Sequence, residues 1–205
     1  MYKTKEKIVT IAKEVIDKEA LAVANLSQYL DHSFAEIVEL IHKSSGRLII
    51  TGIGKSAIIA NKIVATLNST GTHSVFMHAA DAIHGDLGII MPNDIVICIS
   101  KSGNTPEIKM VIPLIKRMGN TIIAMVSNSD SFLARQSNYI IRTTIESEAC
   151  PNNLAPTSST TTQLVMGDAL AIALLSMKGF TKADFAKLHP GGSLGKRLYL
   201  TVGEL

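Results

Sequence analysis

The chain has 205 residues, of which 46% are apolar, 18% charged and 4% aromatic, with a formal net charge of +3 at pH 7. That is room for one ordinary α/β domain with a core of Ile, Leu, Val, Ala and Met, and it excludes a disordered chain. The weak positive charge is scattered, with no Lys/Arg cluster interleaved with aromatics. A nucleic-acid partner is therefore not expected, while an anionic metabolite is compatible. Cys98 and Cys150 lack CxxC spacing, which argues against a zinc site or a disulfide framework and fits a reducing compartment. No apolar stretch behind Met1–Lys7 suggests a signal peptide, and the apolar run Leu164–Met177 is broken by Asp168. A cytoplasmic protein outside the membrane is expected.

In chain order, residues 2–30 read as one long amphipathic helix, with Ile8, Ile11, Ala12, Val15 and Ile16 at helical spacing. A second helix runs through Phe34, Ile37, Val38, Leu40 and Ile41 and stops at Ser44-Ser45-Gly46. The period then changes. Arg47–Thr51 is a short apolar run opening into Gly52-Ile53-Gly54, as in a buried parallel strand. Ser74–Met77, Asp94–Ile99, Thr121–Val126 and Tyr139–Arg142 read as four further strands. Helices are predicted over Lys55–Asn68 and Thr105–Met118, with a short turn near Ser131–Arg135. This alternation predicts a three-layer α/β/α sandwich around a five-stranded parallel sheet, flavodoxin-like, preceded by N-terminal helices. The last long helix, Thr157–Met177, is apolar nearly all round, which predicts cover on more than one side and a subunit interface.

Two strand-to-helix turns carry polar groups. Gly52-Ile53-Gly54-Lys55-Ser56 is neither a Walker A loop, which requires glycine where Ile49 stands, nor a dinucleotide fingerprint, which requires it where Ala57 stands. It is either an anion-binding turn with a lysine at a helix start or an ordinary βα turn. Ser100-Lys101-Ser102-Gly103-Asn104-Thr105 follows the third strand, at the carboxyl edge where open α/β sheets bind ligands. Capping of the next helix explains Thr105 but not the paired serines, so a phosphate cradle is expected.

At this stretch, Ser-x-Ser-Gly-x-Thr, the chain resembles the SIS (sugar isomerase) family. More narrowly, it resembles arabinose 5-phosphate isomerases through His84-Gly85-Asp86-Leu87-Gly88, Glu148-Ala149-Cys150-Pro151, Leu154–Thr161, Met166–Ala171 and His189–Gly195, in order. The loop departs from the commoner version at Asn104-Thr105-Pro106, with Glu107 in place. Common members continue into paired CBS modules, and a single SIS domain without them is expected here.

The resemblance implies a site that gathers Lys55, Glu107, Glu148 and His189. Gly54, Ser56, His84, Ser100, Ser102, Gly103, Thr105, Thr157 and Ser158 would surround the substrate. It also implies interconversion of ribulose 5-phosphate and arabinose 5-phosphate without metal or cofactor, a step toward Kdo for lipopolysaccharide or capsule. Moving a carbonyl between C1 and C2 needs a carbon base, a donor to the enediolate oxygen and a shuttle between O1 and O2. A carboxylate tuned upward by partial burial suits the base. Glu148 is assigned that role, with Glu107 as its rival, His189 as the oxygen acid/base and Lys55 as the electrostatic stabiliser. Cys150 is expected to pack, and Cys98 to be core. A homotetramer sharing His189 between subunits is implied, and CMP-Kdo is a candidate feedback inhibitor at the same anion site. The alternatives are a hexulose or heptose phosphate isomerase, or a non-catalytic sugar-phosphate sensor.

Overall fold

Five short apolar segments form the sheet of the computed structural model, which describes residues 4–191. They are β1 (Leu48–Gly52), β2 (Ser74–His78), β3 (Ile95–Ile99), β4 (Thr121–Val126) and β5 (Tyr139–Arg142). All pairings are parallel, in the order β2-β1-β3-β4-β5. Every residue of β1 and β3 is buried, as expected of central strands covered on both faces.

The period of two sorts the strand side chains into two cores. Leu48, Ile50, Ile97 and Ile99 pack against α2 (His32–Lys43), α3 (Lys55–Ser69) and α7 (Ser158–Met177). Ile49, Val96, Cys98 and Ala124 pack against α4 (Ala79–Ala82), α5 (Pro106–Arg117) and α6 (Phe132–Gln136) on the other face. The helix starts are locally encoded. Asp31 accepts hydrogen bonds from the N–H groups of Ser33 and Phe34 to cap α2, and Ser131 caps α6.

The structure departs from the sequence reading at several elements and extends it at α7. The first helix ends early: α1 covers Lys5–Ala24, and Asn25–Tyr29 tightens into a 3-10 turn that buries Leu26. No residue of α1 is buried, and Ile8, Val9, Ile16 and Leu21 are more than half exposed (52–66%). The apolar circumference of α7 is largely covered within the chain, by α1, α2 and α3. Ile172 and Met177 remain exposed on it. α7 has the length and composition of a membrane span, but nine of its residues, from Ser158 to Leu174, are buried in this packing. Helix α8 (Lys182–Leu188) was not predicted, although Thr181 and Asp184 form a capping box at its start.

The α3–α7 contact is close enough to exclude a side chain at Gly167. A Cβ there would overlap Cδ1 and Cγ1 of Ile63, which is itself only 1% exposed. Glycine to alanine in a helix interior ordinarily gains about 1 kcal/mol, whereas overpacking a closed core costs about 1–3 kcal/mol. Overpacking wins here because Ile63 has nowhere to turn. Urea denaturation of Gly167→Ala should therefore show a net loss of up to about 2 kcal/mol. A stabilised variant would mean that the two helices can separate freely.

Candidate active site

The strand order reverses direction between β1 and β3, and their last residues, Gly52 and Ile99, are direct partners. A ligand crevice is expected just beyond them. A cleft of about 230 Å³ lies there, walled by Ile53, Lys55 and Ser56 after β1 and by Ser100, Lys101, Ser102 and Thr105 after β3. Pro156, Ser159 and Thr160, at the start of α7, close it.

Backbone bonds hold the β3 loop. Ser100 N–H donates to Met125 O (3.1 Å), and Ser127 N–H to Lys101 O (3.1 Å). Gly103 N–H donates to Ser100 Oγ (3.1 Å), and Asn104 N–H to Ser102 Oγ (3.2 Å). Gly103 has φ +62°, and a Cβ there would strike the Ser131 side chain, so only glycine fits this turn. These bonds use the hydroxyl oxygens of Ser100 and Ser102 as acceptors and leave their O–H groups to donate. Thr105 stands at the N-cap position of α5, yet its side chain makes no capping bond. Its Oγ1 is buried and has no partner among the described residues. Capping thus fails to explain this hydroxyl, whereas an oxygen-rich ligand in the cleft would satisfy it.

On the β1 side, Gly54 turns at φ +59° into α3. Lys55 is exposed, and Ser56 Oγ donates to Gln163 Oε1 on α7 (3.2 Å).

Glu148 lies behind the cleft with its side chain fully buried. Its Oε1 accepts from Lys101 Nζ at 2.7 Å. Its Oε2 accepts from Thr157 N–H (2.9 Å), Thr157 Oγ1 (3.2 Å) and Ser159 N–H (3.1 Å). Burial alone would push this carboxyl up, but the Lys101 ammonium and the Ser159 and Thr157 donors outweigh it and hold the pKa at about 2. The expected upward tuning is therefore reversed: donors to the charged form dominate.

The remaining assigned residues sit apart from this lining. The Thr157 hydroxyl is already committed, donating to Glu148 and accepting from Ala149 N–H at 2.9 Å. Ser158 is fully buried, with no partner for its Oγ among the described residues, and does not line the cleft. Glu107 is half-buried in the first turn of α5. His84 is exposed in the segment after β2, on the same edge of the sheet. His189 ends α8, stacks on Phe185 (ring centroids 3.9 Å apart) and places Nδ1 2.9 Å from Phe185 O. Lys101, Ser159 and Thr160 line the cleft but were not picked out as site residues. Lys101 was legible as the residue between two candidate phosphate serines.

Cys98 is core, and burial pushes its thiol up. Cys150 is only half-buried, and backbone N–H groups of Ala155, Leu154, Asn152 and Asn153 lower its thiol. A second cleft, of about 300 Å³, lies between α1 and residues 144–147 and includes Lys18, Tyr29 and Glu146. It contains none of the assigned residues, and we place the site in the smaller cleft, where hydroxyls and lysines converge.

The chain belongs to the SIS domain family, whose profile matches residues 40–173. It is 49% identical over 194 residues to the arabinose 5-phosphate isomerase KdsD of Pseudomonas aeruginosa, covering 95% of this chain and 60% of that one. It is 45% identical to the arabinose 5-phosphate isomerase KpsF of Escherichia coli O6:H1, covering 97% of this chain and 61% of that one. The chain thus spans about three fifths of the length of these curated relatives. Among solved structures, an E. coli CFT073 protein in complex with arabinose 5-phosphate superposes with a TM-score of 0.88 at 39% identity, over 92% of this chain and all of that one.

A carboxylate with a depressed pKa stabilises the fold above its unfolded value near 4.5, and that contribution disappears as pH falls toward about 2. The difference corresponds to about 3 kcal/mol. Glu148→Gln should lose roughly that much stability at pH 7, and the gap to wild type should close as pH falls from 4.5 toward 2. Denaturant titrations across this range measure it. A gap that does not vary with pH would mean that the carboxylate's charge contributes nothing.

Proposed function

We propose that this protein interconverts D-arabinose 5-phosphate and D-ribulose 5-phosphate through an enediolate, in the cytoplasm. The observation that carries the reading is the cleft at the β1/β3 switch point, where the Ser100, Ser102 and Thr105 hydroxyls converge with Lys55 and Lys101. It is supported by 39% identity to a protein solved with arabinose 5-phosphate, a match that covers all of that chain. The hydroxyl loop and lysines suit a phosphate dianion.

In the aldose-to-ketose direction, Glu148 takes the proton from C2, and charge develops on O1 as the C1–C2 enediolate forms. Lys55 stabilises that oxygen. The O2 hydroxyl proton passes to O1 by way of His189, and the carbon proton is returned to C1, so atoms and charge balance. His189 lies outside the lining of the cleft, and α1 presents exposed Ile8, Val9, Ile16 and Leu21. Both features suit a homotetramer in which His189 serves a neighbouring copy. CMP-Kdo, with a phosphodiester and a carboxylate, would compete for the same anion site.

Glu148→Gln should bind substrate but lose about 10²–10⁴ in kcat, the range for a lost general base. Ser102→Ala should act mainly on KM. Near-normal turnover in Glu148→Gln, with a large loss in Glu107→Gln, would move the base to Glu107. Side-by-side assays of pentose, hexulose and heptose phosphates test the substrate, and activity on none of them overturns the reading.

The shared site has its own check. Mixing inactive Glu148→Gln and His189→Ala subunits should restore part of the activity. A fully active monomer in sedimentation would contradict sharing.

A further inference from the structure

Glu148 presents a contradiction. The reaction needs a base, yet the carboxylate assigned to that role is saturated with donors. The distribution of those donors between its two oxygens resolves this. Oε2 is held by the Thr157 and Ser159 N–H groups, which cannot leave without unwinding the start of α7, and by Thr157 Oγ1. Oε1 has Lys101 Nζ, at 2.7 Å, as its partner among the described residues. Lys101 differs from the other donors in kind. Its backbone is pinned by Ser127 N–H, but its side chain is 43% exposed and lines the cleft between Ser100 and Ser102. An ammonium on a four-carbon stem can swing, whereas a backbone N–H cannot.

We propose that Lys101 is a positioning residue for this reaction: it holds Oε1 of Glu148 until a sugar phosphate enters, then moves to the phosphate and frees that oxygen to take the carbon proton. The inference rests on the isomerase reading and adds to it the device that makes Glu148 basic only when substrate is in place. The competition favours the phosphate because it carries up to two negative charges against one and lies beside the two serines that flank Lys101. No bond is made or broken in this step. One ammonium exchanges one anionic partner for another, and Oε1 gains proton affinity.

The other charged groups nearby do not duplicate this role. Lys55 lines the same cleft from the start of α3, and among the described residues no bond links it to Glu148. Glu146, two residues earlier, is exposed, and Cys150, two residues later, faces backbone N–H groups of residues 152–155. The start of α7 offers Glu148 the neutral Thr157 and Ser159, and Glu19 of α1 accepts from Thr161 instead.

The test follows the Glu148 carboxyl carbon by NMR in protein labelled with 13C at the glutamate carboxyls, assigned with Glu148→Gln. In wild type without added anion, this carbon should remain a carboxylate throughout the folded range. With saturating inorganic phosphate, its midpoint should rise by about 1–3 pH units, the effect of removing an adjacent opposite charge. Lys101→Met should show the raised midpoint without phosphate and no further response to it. Lys101→Arg should keep the low midpoint, which preserves the test if the methionine variant folds poorly. In kinetics, the acid limb of kcat/KM should shift to higher pH in Lys101→Met by the same amount. A lysine that pairs with Glu148 and never moves to the phosphate would leave the wild-type midpoint unchanged by phosphate. A wild-type Glu148 that ignores phosphate, or a Lys101→Met that titrates like wild type, overturns the proposal. If the carbon responds to phosphate but no sugar phosphate is isomerised, the isomerase reading fails and the exchange stands. If isomerisation proceeds and the carbon does not respond, the exchange alone fails.

Discussion

Oε2 of Glu148 receives the N–H groups of Thr157 and Ser159 at the start of α7 and the hydroxyl of Thr157, at 2.9–3.2 Å. This bond set ties the segment after β5 to the helix that closes the cleft. It also sets the carboxylate's electrostatics, because each donor favours the charged form against the cost of complete burial. A helix start carries unsatisfied N–H groups and the positive end of its dipole, so a carboxylate stabilises it. Without that anchor, Ser159 and Thr160 would lose their place on the cleft wall, and Lys101 would lose the partner that holds its side chain.

The sheet does the coarse positioning. Because β1 and β3 are neighbours that lead their chains in opposite directions, two loops distant in sequence end side by side, one with Lys55 and the other with Ser100–Thr105. The close contact between Gly167 and Ile63 then brings α7 against α3, and the Ser56–Gln163 hydrogen bond and the Lys62–Asp168 ion pair cross between the same two helices. Site geometry therefore depends on a core contact well away from the chemistry. The packed interior transmits small displacements along it.

Much of this was legible in the residues. Each of the five strands was readable to within a residue at either end, because each is a short apolar run bounded by turn residues, continuous where the strand is buried on both faces. The hydroxyl loop was readable because paired serines exceed what a cap requires. The end of α1 was not: Asn25–Tyr29 keeps a helix-like pattern, and only the burial of Leu26 against the body selects the tighter turn. The state of Glu148 was also hidden. Partial burial was the simple inference from its motif, and the opposite shift arises from donors at positions 101, 157 and 159, which only folding brings together. Likewise, the apolar circumference of α7 announced that it needed cover, but not that most of the cover would come from α1, α2 and α3 of the same chain.

On the proposed exchange, the phosphate of a pentose phosphate binds the loop after β3 and takes Lys101 from Glu148. A crystal structure with arabinose 5-phosphate bound tests it directly. The expected result places phosphate oxygens within hydrogen-bonding distance of the Ser100, Ser102 and Thr105 hydroxyls, with Lys101 Nζ on the phosphate and Oε1 of Glu148 facing the C1–C2 end of the sugar. A phosphate bound elsewhere, with the 2.7 Å bond from Lys101 to Glu148 intact, would contradict it.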